Sequence, residues 1–328
     1  MRCVVPLVIV IVLSIACRSE PLGDPVTLDG SSTVFPLADA VAHEFGKHNR
    51  RVPVNVKFSG TNPGIAKFCR GQLDIAAASR PISIDEQKAC TTAGITFVEL
   101  PIAHDAITII VNAKNTWATS ITVPELRTLW EPKAEKRITK WNQVRKDWPD
   151  RAVTLFAPGT ESGTFDYFTA AINGATDASR TDYTASGDDH VIVEGVAADE
   201  GALGYVGYGY FARSKDRLKA LAVDDLDDSI GQGPIEPSSE TVGRGLYRPL
   251  SRPLFIYVNA DHAKRAEVSA FARYFVRNAG VFSANAGTMP LAGAAYKLAE
   301  QRFEKLTAGT MFTVPRAAEL GVEYLLAQ

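Results

Sequence analysis

Small hydroxyl residues and glycines recur in this sequence where an apolar run gives way to a helical pattern. They form Gly30-Ser31-Ser32-Thr33, Ser59-Gly60-Thr61, Ser79 after Ile75-Ala76-Ala77-Ala78, and Gly159-Thr160-Glu161-Ser162-Gly163-Thr164. The first N–H groups of a helix lack partners inside it and carry the positive end of its dipole, so a helix start attracts anions. Serine and threonine hydroxyls add donors, although any one of them is equally explained as an ordinary helix cap. Their recurrence is the informative feature, because several helix starts meeting in one cleft hold an anion without bulk positive charge. Bulk charge is absent: 35 Lys plus Arg stand against 37 Asp plus Glu in 328 residues, a net charge of −2. No domain-wide basic field exists for nucleic acid.

The elements that must place these segments alternate between strand and helix. A strand at Val26–Asp29 precedes a helix over about 35–47, with Phe35, Leu37, Val41 and Phe45 on related faces. A second strand, Val52–Phe58, leads through Ser59–Gly64 to a short helix ending at Gly71, and a third covers Asp74–Ala78. Ser83-Ile84-Asp85-Glu86 has capping-box spacing and predicts a helix that stops near Gly94. Such alternation predicts an α/β fold with a mostly parallel sheet and ligands outside the carboxyl ends of its strands. Ile107–Asn112 and Pro253–Asn259 are continuous apolar runs ending in Val-Asn, the pattern of central strands covered on both faces. Between them lie a helix capped by Thr122 with Glu125, a strand Val153–Ala157, a helix from Ser162 and a strand Gly204–Tyr208. The expected organisation is a discontinuous domain, 26–111 plus 254–328, with 112–253 inserted as a second domain. The two chain crossings then form a hinge beside a cleft.

Residues 1–16 read as a signal peptide: Arg2 precedes the apolar run Val4–Leu13, and Ser14 and Ala16 lead to Cys17. The run falls short of the ~20 residues that span a bilayer. Ser14-Ile15-Ala16 fits a small-x-small cleavage site, whereas Leu13-Ser14-Ile15-Ala16-Cys17 resembles a bacterial lipobox with its leucine one place early, in which Cys17 becomes acylated. Either route exports the chain to the periplasm or cell envelope, with membrane contact only through the lipid anchor. In that oxidising compartment Cys69 and Cys90 are expected to form a disulfide. The five histidines show no H-x-x-x-H spacing and no G-x-S-x-G elbow is present, so neither a metal site nor a hydrolase nucleophile is expected.

Gly30-Ser31-Ser32-Thr33-Val34-Phe35-Pro36, the stretch from Ser59-Gly60-Thr61 to Phe68, Asp74–Ile82 and Ser162-Gly163-Thr164-Phe165 together resemble PstS-type phosphate-binding proteins of bacterial ABC phosphate importers. The resemblance covers nearly all of the chain after Cys17. It implies a two-domain periplasmic binding protein fold of the second class, hinged about a ligand cleft, without cofactor or enzymatic activity. It also implies a monomer that captures inorganic phosphate and delivers it to a membrane permease. Carried onto this sequence, the phosphate donors are Ser32 and Thr33, then Ser59 or Thr61, then Ser79, with Ser162, Gly163 and Thr164 from the inserted domain.

Two positions depart from the family pattern. Arg80 follows the third-loop serine where the family has an aspartate, and Pro158 stands ahead of Ser-Gly-Thr where it has an arginine. The exchange makes Arg80 the expected charge partner of the anion, through a bidentate pair. With that aspartate missing, another group must accept the hydrogen bond from the proton that phosphate, unlike sulfate, carries near neutral pH. Glu161 is the expected acceptor, with Asp188 and Asp189 behind it. These departures keep another oxyanion, such as sulfate or molybdate, as the competing ligand class. A secreted phosphatase ranks below both.

Overall fold

The computed structural model describes residues 23–160, 162–229, 233–312 and 322–326, so the expected leader, the Cys17 lipidation site and Glu161 lie outside the described residues. Strand β1 (Val26–Gly30) runs into helix α1 (Phe35–His48), β2 (Val54–Val56) into α2 (Thr61–Cys69), and β3 (Ile75–Ala78) into α3 (Ile84–Thr92). β1 lies parallel to both β2 and β3, so the hydroxyl-rich segments leave the sheet at one edge. α3 starts as its sequence predicts: Glu86 N–H donates to Ser83 Oγ while Ser83 N–H donates to the Glu86 carboxylate. Cys69, at the end of α2, and Cys90, near the end of α3, form a disulfide.

β4 (Phe97–Asn112) follows, 16 residues long and buried throughout. Beyond it come β5 (Ser120–Thr122), α4 (Val123–Trp130), β6 (Thr154–Pro158), α5 (Gly163–Asn173), β7 (Thr184–Ser186) and α6 (Asp189–Ala198). Then β8 (Ala202–Gly207), α7 (Tyr208–Ala212), β9 (Leu218–Ala220), β10 (Ala222–Asp224) and α8 (Ser239–Gly243) precede the return strand β11 (Ser251–Asn259). Helices α9 (Ala266–Ser283), α10 (Gly293–Glu304) and α11 (Val322–Leu326) follow.

The main sheet has the order β2-β1-β3-β11-β4-β8-β6-β7, with β9 also on β4. Pairing is parallel among the outer strands, as expected, but antiparallel at the centre, because β4 and β11 carry the chain across in opposite directions. β4 holds the two ends together. Its Phe97–Ala106 segment pairs with β11, and Ile107–Val111 pairs with β8. The partner change therefore comes at Ala106–Ile107, ahead of the boundary expected after Val111. Apolar packing divides at the same place: Leu37, Val41 and Phe45 of α1 meet Phe271 and Phe275 of α9 over one end, and Trp130, Trp141, Phe168 and Tyr205 fill the other with Ile107 and Ile109. Among the described residues no helix is long and apolar enough to cross a membrane.

Candidate functional site

Backbone contacts draw the first three strand-end segments together at Gly30. Ser31 N–H donates to Ala77 O at 2.9 Å, while Ser59 and Gly60 N–H both donate to Gly30 O at 3.1 and 2.9 Å. A side chain on Gly64 would stand 2.5 Å from the Gly30 Cα, so only glycine lets α2 lean against the end of β1 this closely. The result is a single concave edge bearing Ser32, Thr33, Thr61 and Ser79, which border a cavity of about 340 Å³. Thr61 Oγ1 and Ser79 Oγ lie 3.2 Å apart, and Ser79 N–H donates to Thr61 Oγ1 at 3.3 Å, which fixes both side chains at the wall.

The opposite wall is the start of α5. Ser162 caps it by accepting from Thr164 N–H at 3.2 Å, which leaves the hydroxyl proton free to donate. Gly163 faces the first loop so closely that a Cβ there would sit 2.9 Å from Thr33 Oγ1 and 3.2 Å from Ser32 Oγ. Beyond this contact a second cavity of about 270 Å³ is bordered by Ser32, Thr33, Ser162, Gly163 and Thr164, together with Asp105 and Asp189. The structure thus brings Ser32, Thr33, Thr61, Ser79, Arg80 and Gly163 to the first cavity, and Ser162 and Thr164 to the second. Ser59 borders neither. Its exposed hydroxyl accepts from Lys67 Nζ at 3.2 Å, and the same ammonium is tied to Asp29 at 2.6 Å.

Arg80 borders the first cavity, but its terminal nitrogens are engaged elsewhere. Nη1 and Nη2 donate to the two Glu86 oxygens at 2.8 and 2.7 Å, and further to Pro81 O and Asn62 Oδ1. A second guanidinium, which the sequence reading does not single out, reaches the same cavity from the start of β11. Arg252 donates from Nε and Nη2 to Asp105 Oδ2 at 3.1 and 3.0 Å, and from Nη2 to Thr33 Oγ1 at 3.2 Å. Its Cζ lies 3.9 Å from the centre of the Tyr167 ring. The available sequence signal is a charged residue at the head of an apolar strand, matched by Asp105 just ahead of Ile107, since a buried charge requires a partner.

Carboxyl groups also face the site. Asp166, in the first turn of α5, borders the first cavity, where burial and the charge of Asp177 raise its pKa against the pull of Arg252. Asp189 borders the second cavity, and burial followed by the adjacent Asp188 pushes it up to about 6. Asp188 caps α6 by accepting from His190 N–H at 2.9 Å and stays exposed.

Two hydroxyl-lined walls, a helix start and a paired guanidinium suit a tetrahedral oxyanion. A family model described as the PBP superfamily domain matches residues 18–279. Over 264 residues the chain is 33% identical to the phosphate-binding protein PstS of Staphylococcus saprophyticus, covering 80% of this chain and 79% of that one. The chain belongs to the PstS-type phosphate-binding proteins of the PBP superfamily. This PstS-type chain is also 43% identical over 326 residues to the protein SphX of Synechocystis, covering 99% of its own length and 96% of the relative's. A crystal structure described as a possible phosphate binding protein from Planctomyces limnophilus matches it with a TM-score of 0.79 at 39% identity, covering 87% of this chain and 99% of that chain.

Proposed function

We propose that this PstS-type protein is an exported receptor that captures inorganic phosphate between two lobes and delivers it to the permease of an ABC importer. The observation that carries the reading is one cavity bordered from one side by the Ser32, Thr33, Thr61 and Ser79 hydroxyls and from the other by the start of α5 at Gly163. Phosphate oxygens accept from these hydroxyls and from the first N–H groups of α5, with Ser162 and Thr164 flanking the same helix start. Such a set of donors holds an oxyanion and leaves it unchanged, which fits a transport receptor better than a phosphatase. The lobes divide at Ala106–Ile107 and at Leu250–Leu254, the two places where the chain crosses between the apolar cores. The bordering carboxyls favour phosphate over sulfate, since either Asp166 or Asp189 accepts a hydrogen bond from protonated phosphate and repels a fully ionised anion. Export rests on the leader reading of residues 1–16. Anchoring through Cys17 and a monomeric state are part of the same proposal.

Calorimetry of desalted protein against phosphate, sulfate and molybdate tests this function. One phosphate per chain, with sulfate silent at concentrations far above saturation by phosphate, is the expected outcome. Tighter binding of sulfate or molybdate than of phosphate would replace the ligand and keep the receptor.

A further inference from the structure

The two guanidinium groups at the first cavity differ in what their nitrogens already hold. Both terminal nitrogens of Arg80 are occupied by Glu86 and its neighbours. Arg252 is satisfied along one edge only, by Asp105 and Thr33, and among the described residues its Nη1 has no hydrogen-bond partner. The side chain is 19% exposed and borders the cavity, while Asp105 is only 5% exposed, so the occupied edge is fixed to a buried carboxylate. A half-buried guanidinium with idle donors is a standing demand for an acceptor, and a charge-assisted bond to an oxyanion is the strongest way to meet it.

The position of Arg252 adds a second property. Arg252 and Asp105 are register partners on β11 and β4, the two strands that cross between the cores, next to the point where β4 changes partners. Thr33 reaches the guanidinium from the first loop, and the Tyr167 ring covers it from α5 on the other side of the cleft. One group therefore touches both walls and the strands joining them.

We infer that Arg252 is the charge partner of the bound anion in this chain and that it couples anion capture to closure of the cleft, an inference that rests on the proposed phosphate-binding function. Asp105 keeps the Nε–Nη2 edge throughout and holds the plane of the guanidinium. The anion takes Nη1 and draws Thr33 and α5 toward the same point. Pro158, which leaves α5 without a cation of its own ahead of Ser-Gly-Thr, is consistent with a charge supplied from the crossing strand.

The test is phosphate calorimetry on the full mature chain and its variants, with urea unfolding as the folding control. Arg252→Gln should weaken phosphate binding by about 10- to 100-fold, Arg252→Lys by less, and Arg80→Gln by less than Arg252→Gln. Because Arg252→Gln strands a buried carboxylate, the Arg252→Gln/Asp105→Asn double variant removes both charges together and should show the same loss. Small-angle scattering at saturating phosphate should show the wild type contract and the double variant stay expanded. The inference is overturned if the folded double variant binds phosphate within about threefold of wild type, if Arg80→Gln costs more than Arg252→Gln, or if the saturated double variant contracts as the wild type does. Failure of the underlying reading is recognised separately, as a wild-type protein that binds no phosphate.

Discussion

Replacing Gly163 by alanine should weaken phosphate binding without weakening the fold. The added Cβ would lie 2.9 Å from Thr33 Oγ1 and 3.2 Å from Ser32 Oγ, both on the opposite wall. To restore ordinary carbon–oxygen contact the walls must separate by about half an ångström, and such overpacking costs about 1–3 kcal/mol in a closely packed site. Alanine at the first position of α5 does not harm the helix itself, because it is the best helix former. If the two walls approach only when the cleft closes, the cost falls on the ligand-bound state alone, and Kd rises by about 5- to 150-fold. The melting temperature of ligand-free protein then stays where it was. Calorimetry with a parallel thermal melt reads both quantities. A melting temperature lowered by several degrees together with an unchanged Kd would refute the reasoning, since the contact would then be permanent packing.

Removing the disulfide with Cys69→Ser/Cys90→Ser should cost about 3 kcal/mol by the chain-entropy relation for a bond spanning 21 residues, read by urea unfolding. Asp166→Asn should lower the preference for phosphate over sulfate in a competition assay; unchanged preference would move the acceptor role to Asp189. Arg180 donates to both oxygens of Asp182 and holds that carboxyl down to about 2. A lowered folded pKa stabilises the native state above the ordinary carboxylate range, and because Asp182 is exposed and screened by solvent, no more than about 1 kcal/mol should be lost as pH falls from about 4 toward 2. Asp182→Asn should flatten that part of the stability profile measured by chemical denaturation.

Features set by local chemistry are legible in the sequence. The Ser83–Glu86 and Thr122–Glu125 boxes both form, and the glycine and hydroxyl strings lie at strand ends because caps and tight turns depend on near neighbours. The first half of β4 is not legible, because Glu99, His104 and Asp105 interrupt its apolar pattern. They are buried there because their partners lie far along the chain: Glu99 accepts from Tyr257 OH, Thr310 Oγ1 and Met311 N–H, and Asp105 accepts from Arg252. The missing stretch hides the place where β4 changes partners, and with it Arg252. The choice between Ser59 and Thr61 is likewise closed to local reading, since Lys67 and Asp29 engage one and Ser79 orients the other. The pairing of Arg80 with Glu86 has no signature of its own in the sequence, because Glu86 doubles as half of a capping box.

The most direct measurement is the position of arsenate, a phosphate analogue with an anomalous X-ray signal, in crystals of the protein grown from phosphate-free solution. A single strong peak should lie within hydrogen-bond distance of the Thr33, Thr61 and Ser79 hydroxyls, the Gly163 N–H and Arg252 Nη1. A peak elsewhere in the molecule, or none at concentrations that saturate a phosphate receptor, would contradict capture at this cleft.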